Sequence, residues 1–325
     1  MVDHLALSLP GPIAVLGGGG FIGSNLVRRL VAAGRDDVWA IDIEVPEYRE
    51  GAIEGATFLD ANLANPYDAR MVLDGMATVF HLAADMGGVG YFHSDADLGA
   101  SMTNGQITLN VLHCAQLVGV ERLFYSSSAC AYPIEFQQNP VAAPKLAEEW
   151  LGLGTPDALY GAEKLHGLRL CSKVPAARVG VLHTVFGPLQ EHEGRRMKFP
   201  AAVATKALAA RTTGELELWG DGKQLRSYCY IDDAIEQILT VTAAPDYWGP
   251  VNIGATGAIS CRDVAAICLH HVGAPDARII TNPAEPSGVL ARDCSMNKYE
   301  QHYGPMPTRQ YSAGFGAFID WLDTL

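Results

Sequence analysis

The sequence predicts an α/β protein, a doubly wound parallel sheet joined to a smaller α+β lobe. Three observations carry that expectation. Short β-branched or aromatic runs alternate with longer helical patterns through the first half of the chain. A glycine cluster falls between the first such run and the first helix, and the regular alternation loosens after Val181. Strands separated by helices long enough to cross over give a parallel sheet, with ligands at the strands' carboxyl ends.

The strand-like runs are residues 13–16, 38–41, 57–59, 78–82, 122–125 and 178–181. Helical patterns occupy 21–33, 104–118 and 160–172, and Gly34 and Gly119 follow two of them, where a left-handed terminal residue is expected. Beyond Val181 a Gly/Pro-punctuated loop at 187–200 precedes a helical stretch. A short strand at 215–219, a helix at 232–242 and a returning core strand at 251–253 follow, then helices from Cys261 and near the end. The expected cofactor domain is 1–184 plus 227–254, and the substrate domain 185–226 plus 255–325. At 325 residues the chain is longer than one compact core usually serves, which fits two lobes around one cleft.

Hydrophobic residues make up 49% and charged residues 18%, and the formal net charge is −13. That acidity argues against nucleic acid or an anionic membrane as a general partner, so an anionic substrate requires a local basic island. The seven cysteines, at 114, 130, 171, 229, 261, 268 and 294, are an odd set without C-x-x-C spacing. This pattern points to a reducing compartment and to neither a disulfide framework nor a metal site. No basic-then-apolar N-terminal segment and no run of roughly 18 apolar residues is seen, and the expected location is cytoplasmic.

The segment Gly17-Gly18-Gly19-Gly20-Phe21-Ile22-Gly23 has the strand–turn–helix context of a Rossmann-type dinucleotide site. Gly17 serves the tight turn, Gly20 the approach of backbone to pyrophosphate, and Gly23 helix–strand packing. Phe21 and Ile22 open the helix whose free N–H groups face the phosphates. Asp42, at the end of the second run, is placed for the adenosine ribose hydroxyls and would repel a 2′-phosphate, favouring NAD over NADP. Asp60, after the third run, is a candidate adenine contact or a structural turn residue.

Tyr160 and Lys164 stand four apart, on one helical face. A phenol is a poor base near neutrality unless an ammonium stabilises its anion. Ser126-Ser127-Ser128 ends the fifth run, and the Ser128 hydroxyl can bond a reacting oxygen. Glycine loop, strand-end serine and Tyr/Lys in this order resemble the extended short-chain dehydrogenase/reductases over nearly the whole chain. Ala129-Cys130 stands where nucleotide-sugar 4,6-dehydratases of that superfamily carry Asp-Glu, so dehydration is disfavoured.

A closer resemblance is to the GDP-mannose 3,5-epimerase family. It rests on Ala84-Asp85-Met86-Gly87-Gly88-Val89-Gly90, on Ser127-Ser128-Ala129-Cys130-Ala131-Tyr132-Pro133, and on Gly194-Arg195-Arg196-Met197-Lys198-Phe199-Pro200. The segment from Trp219 to Ser227 and Arg292 add to it. The resemblance implies an isomerase that holds NAD tightly and acts on a GDP-hexose. Cys130 and Lys198 would be its epimerisation acid/base pair, and Gly87, Gly88, Lys206, Gln224 and Arg292 its substrate contacts. It also implies a homodimer built on cofactor-domain helices. Oxidising C4 of a hexose acidifies the hydrogens at C3 and C5, which a thiol and a desolvated lysine can exchange.

Arg195, Arg196, Lys198, Lys206, Arg226 and Arg292 supply the basic island. Val181, Thr184 and Leu290 depart from the family pattern, which has arginine, asparagine and arginine there. His183 matches the pattern, and both a structural and a catalytic role fit it. Competing readings are another NDP-sugar 4-epimerase, a 3,5-epimerase/4-reductase resembling GDP-fucose synthase, and a non-catalytic NAD sensor.

Overall fold

The computed structural model describes residues 2–92, 96–139, 141, 143–306 and 308–325. Helix α1 (Val2–Ser8) precedes strand β1 (Ile13–Leu16), and the chain then alternates through α2 (Phe21–Ala32), β2 (Val38–Asp42), the single turn α3 (Glu47–Glu50) and β3 (Thr57–Asp60). Next come α4 (Pro66–Leu73), β4 (Thr78–His81), the short α5 (Val89–Phe92), the long α6 (Ala96–Val118) and β5 (Arg122–Ser128). An excursion containing β6 (Lys145–Leu146) ends at α7 (Ala158–Cys171), which leads to β7 (Ala177–Leu182).

The second half holds β8 (Thr184–Phe186), α8 (Phe199–Thr213), β9 (Glu215–Trp219), β10 (Leu225–Arg226) and β11 (Tyr228–Tyr230). Helix α9 (Ile231–Ala243) and β12 (Val251–Ile253) return to the main sheet. The chain ends with β13 (Ile259–Ser260), α10 (Cys261–His271), β14 (Arg278–Asn282), β15 (Ala291–Cys294), α11 (Asn297–Tyr303) and α12 (Tyr311–Leu322).

Seven parallel strands form the main sheet in the order β12-β7-β5-β4-β1-β2-β3. Strand order reverses between β1 and β4, and the crevice at such a switch point is where this architecture holds ligands. Helices cover both faces, so β1, β4 and β7 are buried along their whole length. A four-stranded sheet, β13-β10-β15-β6, lies apart from the main one. Its β10–β15 register sets Arg226 beside Arg292. Asn252 on β12 ties the two sheets together: its amide donates to the carbonyls of Leu146 and Ser295 at 2.8 and 2.9 Å. Its carbonyl accepts the Tyr132 hydroxyl at 2.7 Å.

The structure moves several sequence-based boundaries. Helix α6 begins at Ala96, eight residues before the periodicity suggests, because its first turns carry Gly99 and Gly105 and owe their helicity to packing. Strand β5 runs on to Ser128, so all three serines are strand residues. Helices α1, α3, α4 and α11 were not anticipated, and each is only four to eight residues long. In α4 the start signal was nonetheless present: Pro66 opens it and the Asn65 side chain accepts the Tyr67 N–H at 3.0 Å.

Gly17 has φ +83°, the left-handed turn the glycine loop needs. Gly23 faces that turn, and a Cβ there would lie 1.9 Å from the Gly17 carbonyl oxygen. Backbone cannot retreat as a flexible side chain can, so Gly23→Ala is expected to cost about 1–3 kcal/mol. Urea unfolding of the two proteins checks this, and an unchanged midpoint would show that the loop relaxes freely.

Candidate active site

The glycine loop sits at the carboxyl end of β1, and Gly20 is the N-cap of α2 without a side-chain cap and without an acidic residue in the first turn. The helix therefore presents free N–H groups beside a surface with no Cβ atoms, which suits a pyrophosphate. Asp42 at the end of β2 accepts the Gly19 N–H at 3.0 Å and the Ile43 N–H at 2.8 Å, one on each carboxylate oxygen. Both oxygens retain lone pairs for ribose hydroxyls. Burial pushes this carboxyl above its ordinary value, opposed by those backbone donors. Asp60 pairs in register with Asp42 at the end of β3 and is exposed. Arg49, absent from the sequence-based site, braces the loop by donating to Gly19 and Leu189 carbonyls at 3.2 and 2.9 Å. These residues fit a dinucleotide.

At the carboxyl end of β5, the Ser128 oxygen accepts the Cys130 N–H at 3.2 Å and its hydroxyl bonds the Tyr160 phenol. Tyr160 and Lys164 lie on the same side of α7, with the Lys164 ammonium 5.7 Å from the Tyr160 ring centroid. Both are buried, at 5% and 2% exposure. Burial raises the phenol well above its ordinary range, against the hydrogen bond from Ser128. Burial lowers Lys164, opposed by the Glu163 carboxylate 3.7 Å from its nitrogen. Glu163 is a neighbour the sequence reading missed, because a glutamate on a helix ordinarily faces solvent.

Helix α7 can approach the turn after β5 because residue 161 is glycine. A Cβ at Gly161 would lie 2.2 Å from the Cys130 carbonyl oxygen. Cys130 is partly exposed, whereas the other six cysteines are buried. Lys198, the N-cap of α8, is lowered by burial and feels the Cys130 sulfur as its main opposing influence. The structure thus brings Ser128, Cys130, Tyr160, Lys164 and Lys198 into one region.

The expected substrate contacts divide. Gly88 packs on the Met197–Lys198 backbone, where a Cβ would be 2.5 Å from the Met197 carbonyl oxygen. Gly87 lies against Tyr91, and Asp85 joins this loop to Arg196 by an ion pair. Gln224 is buried, and its side-chain oxygen has no hydrogen-bond partner among the described residues. Lys206 is turned elsewhere: its ammonium donates to the Glu217 carbonyl at 3.0 Å and lies 5.9 Å from the Trp219 ring centroid. Arg292 bonds Gln137 (2.5 Å), Cys130 (3.6 Å) and Asp157 (2.9 Å), leaving one N–H on each terminal nitrogen for a ligand. Asp157 and Gln137 were missed. The available signal was an aspartate just ahead of the Tyr160 helix, a common helix cap.

His183 Nε2 donates to the Asn252 side-chain carbonyl, 3.2 Å away, and its other ring nitrogen has no partner among the described residues. That carbonyl accepts, so the facing nitrogen carries the proton. Burial, with Arg292 adding to it, lowers His183 to about 3, and burial with Lys164 lowers His81 to about 3.

These features fit a class: NAD-dependent enzymes of the short-chain dehydrogenase/reductase type. The match to the NAD dependent epimerase/dehydratase family extends over residues 13–254, and the chain belongs to that family. It is 33% identical over 324 residues to GDP-mannose 3,5-epimerase 1 of Oryza sativa subsp. japonica, covering 95% of this chain and 81% of the relative. With the Arabidopsis thaliana GDP-mannose 3,5-epimerase the figures are 32%, 95% and 81%. Among solved structures, UDP-glucose 4-epimerase of Thermotoga maritima superposes with a TM-score of 0.83 at 22% identity, over 96% of this chain and 98% of that one. UDP-glucuronic acid 4-epimerase from Bacillus cereus, in complex with UDP-glucuronic acid and NAD, gives 0.80 at 21%, over 96% and 99%.

The two buried histidines make stability acid-sensitive. Each titrates near 6.5 when unfolded and near 3 when folded, so between those values the unfolded chain binds more protons. Stability is therefore full above about 6.5 and falls as pH drops, by about 2 kcal/mol per histidine on reaching pH 5. Urea unfolding at pH 7 and pH 5 measures it. His183→Gln should shrink the difference by about one histidine's share, and an undiminished difference would assign the acid sensitivity elsewhere.

Proposed function

We propose that this enzyme is a nucleotide-sugar epimerase acting on GDP-mannose at C3 and C5, through transient oxidation at C4. The observation that carries the reading is that the Cys130 N–H bonds the Ser128 side chain, which in turn bonds Tyr160, with the partly buried Lys198 close enough to be influenced by the Cys130 sulfur. A redox centre alone suits many family members. A thiol and an amine sharing that centre suit proton exchange on carbon.

Bound NAD supplies the two-electron step, taking hydride from a sugar carbon and returning it. Tyr160 must first lose its own proton, and the phenolate beside the Lys164 ammonium then receives the proton of that carbon's hydroxyl and later gives it back, with Ser128 donating to the same oxygen. Lys164 keeps positive charge near the phenol and is lowered by burial, so that charge is poorly screened. With a carbonyl at C4, the hydrogens at C3 and C5 become acidic. Cys130 and Lys198 serve as the base and acid on the two faces, and the cycle ends redox-neutral. Gly87, Gly88 and Gln224 line the substrate, and Arg292 offers its remaining N–H groups to phosphate. Lys206 joins them by exchanging its carbonyl partner for the ligand.

Asp42 supports NAD over its 2′-phosphorylated form, because a carboxylate bonded to the loop would repel that phosphate. This weighs against a reductase of the GDP-fucose synthase kind. The intact Ser128–Tyr160–Lys164 arrangement weighs against a non-catalytic sensor. Scattered, unpaired cysteines support a cytoplasmic setting. No helix among the described residues is long and apolar enough to cross a membrane.

Incubation of enzyme with GDP-mannose in deuterium oxide is expected to place deuterium at C3 and C5 without added reductant. Deuterium at neither carbon, with inversion at C4, would establish a plain 4-epimerase. Tyr160→Phe should slow turnover by at least about a hundredfold. Cys130→Ala should block or bias exchange at one carbon while NAD stays bound, and Lys198→Met should harm both KM and kcat. Normal exchange in both of these variants would remove them from the chemistry.

The same reading includes a homodimer. Leu98, Met102 and Leu109 are exposed at 60, 68 and 48% along one stripe of α6, and Leu159 on neighbouring α7 is 48% exposed. Positions four and eleven apart share a helical face, and a second copy of the same helices would cover it. Light scattering should give a dimer for the native protein and a monomer for the Met102→Glu/Leu109→Glu double variant. A native monomer would overturn this assignment.

A further inference from the structure

We infer that Asp157 is a positioning residue that holds the Arg292 guanidinium against the sulfur of Cys130, so that negative charge on that sulfur is stabilised. The inference rests on the reading of Cys130 as a proton-exchanging group.

The three residues come from separate parts of the chain. Cys130 lies in the turn after β5, Asp157 stands at the N-cap position of α7 with its side chain making no capping bond, and Arg292 lies on β15 in the other sheet. No short sequence spacing joins them, and the backbone does. The Asp157 N–H donates to the Cys130 carbonyl at 2.8 Å, and the Gly161 N–H returns to the Asp157 carbonyl at 3.0 Å. Pro156 pairs with Pro133, just beyond the Cys130 turn. The next residue, Ala158, has φ +59°, a left-handed conformation that costs a side-chain-bearing residue about 1–2 kcal/mol. The chain adopts it at the point where the Asp157 carboxylate must face Arg292 while the Tyr160 helix starts one residue later.

Arg292 is then gripped at three places. Its Nε donates to Gln137, one Nη2 N–H donates to Asp157, and one Nη1 N–H points at the Cys130 sulfur 3.6 Å away. The side chain is 12% exposed, so solvent screens these contacts weakly. A planar guanidinium held at two nitrogens cannot swing, and its third is fixed in direction. Lys198 at the head of α8 and the Tyr160 phenol of α7, kept neutral by burial, are also near enough to be influenced by the sulfur. A thiolate is the form that can take a proton from carbon, becoming a thiol while the electron pair stays on the substrate as an enolate. Cation contact favours the thiolate.

Without the Asp157 carboxylate, Gln137 alone restrains the guanidinium, and the direction toward sulfur is lost. The difference from a phosphate-binding role is testable, because that role would appear in substrate affinity. Here the sulfur's reactivity should change before substrate arrives.

The experiment uses the NAD-loaded full-length protein. Alkylation of Cys130 by iodoacetamide at pH 7 is followed by peptide mass, with the six buried cysteines as internal controls. Asp157→Asn should slow Cys130 alkylation by about tenfold. It should also slow deuterium entry at one of C3 and C5 by about tenfold or more, a larger change than in KM for GDP-mannose, which the loosened Arg292 also affects. Asp157→Glu should recover part of both rates. Unchanged alkylation and exchange in Asp157→Asn would overturn the inference. If that variant fails to retain NAD, Arg292→Gln repeats the alkylation test with Asp157 intact, and unchanged reactivity there overturns it equally. Cys130→Ala separates the two levels. Full exchange at both carbons in that variant sinks the proton-exchange reading itself, whereas lost exchange beside a normal Asp157→Asn sinks only the role given to Asp157.

Discussion

The close approach of α7 to the turn after β5 is the constraint on which the site depends. With no side chain at Gly161, the helix backbone comes near enough that the Asp157 N–H reaches the Cys130 carbonyl. That one contact sets Tyr160 beside Ser128, because the tyrosine is fixed to the helix and the serine to the strand. It sets Cys130 in the same place, because the thiol lies two residues beyond the strand end. Ser127 reinforces the docking by donating its hydroxyl to the Lys164 carbonyl at 3.1 Å. The redox centre and the proposed exchange centre are therefore consequences of a single helix–strand contact.

Charge is arranged against the average of the molecule. The chain carries −13 overall, yet Lys198 and Arg292 lie near the Cys130 sulfur, Lys164 near Tyr160 and Arg226 beside Arg292. Burial lowers Lys164, Lys198 and Arg226, which means that holding them charged costs free energy before any ligand arrives. Arg292 is the exception: its carboxylate and sulfur neighbours outweigh desolvation and raise it. A diphosphate entering such a site would satisfy cations already stripped of water, so attraction is specific to the cleft while the surface repels other polyanions.

Much of this was legible in the sequence, for reasons that differ by feature. The sheet strands are apolar runs with glycine or polar punctuation, and a parallel sheet buried on both faces leaves that signature directly. Gly17, Asp42 and Ser128 were readable because they sit at or just past strand ends, and Tyr160 and Lys164 because their four-residue spacing puts them on one helical face. Asp157, Gln137 and Glu163 were not. Their partners Arg292, Cys130 and Lys164 are found through folding and not through spacing, except for Glu163, whose burial beside Lys164 reverses what a helical glutamate usually signals. Short helices such as α3 and α4 lack enough turns to show a period.

The departures from the 3,5-epimerase pattern fall at unequal places, and their positions rank their consequences. Val181 is fully buried in β7, in register with Ser127 on one side and Asn252 on the other. A valine there is a packing choice, and an arginine would have to be paired inside the sheet. Thr184 is only half-buried, at the start of β8, in register with Tyr228. Leu290 has both backbone groups bonded, its N–H to the Gln137 carbonyl and its carbonyl to the Leu225 N–H, so its side chain alone is free to differ. It stands two residues from Arg292, which bonds the Gln137 side chain. The chain thus has no cation at 290 and no amide at 184, while Ser128, Tyr160 and Lys164 keep their own partners. Where such side chains face a ligand, discrimination follows the polar groups that the ligand must satisfy.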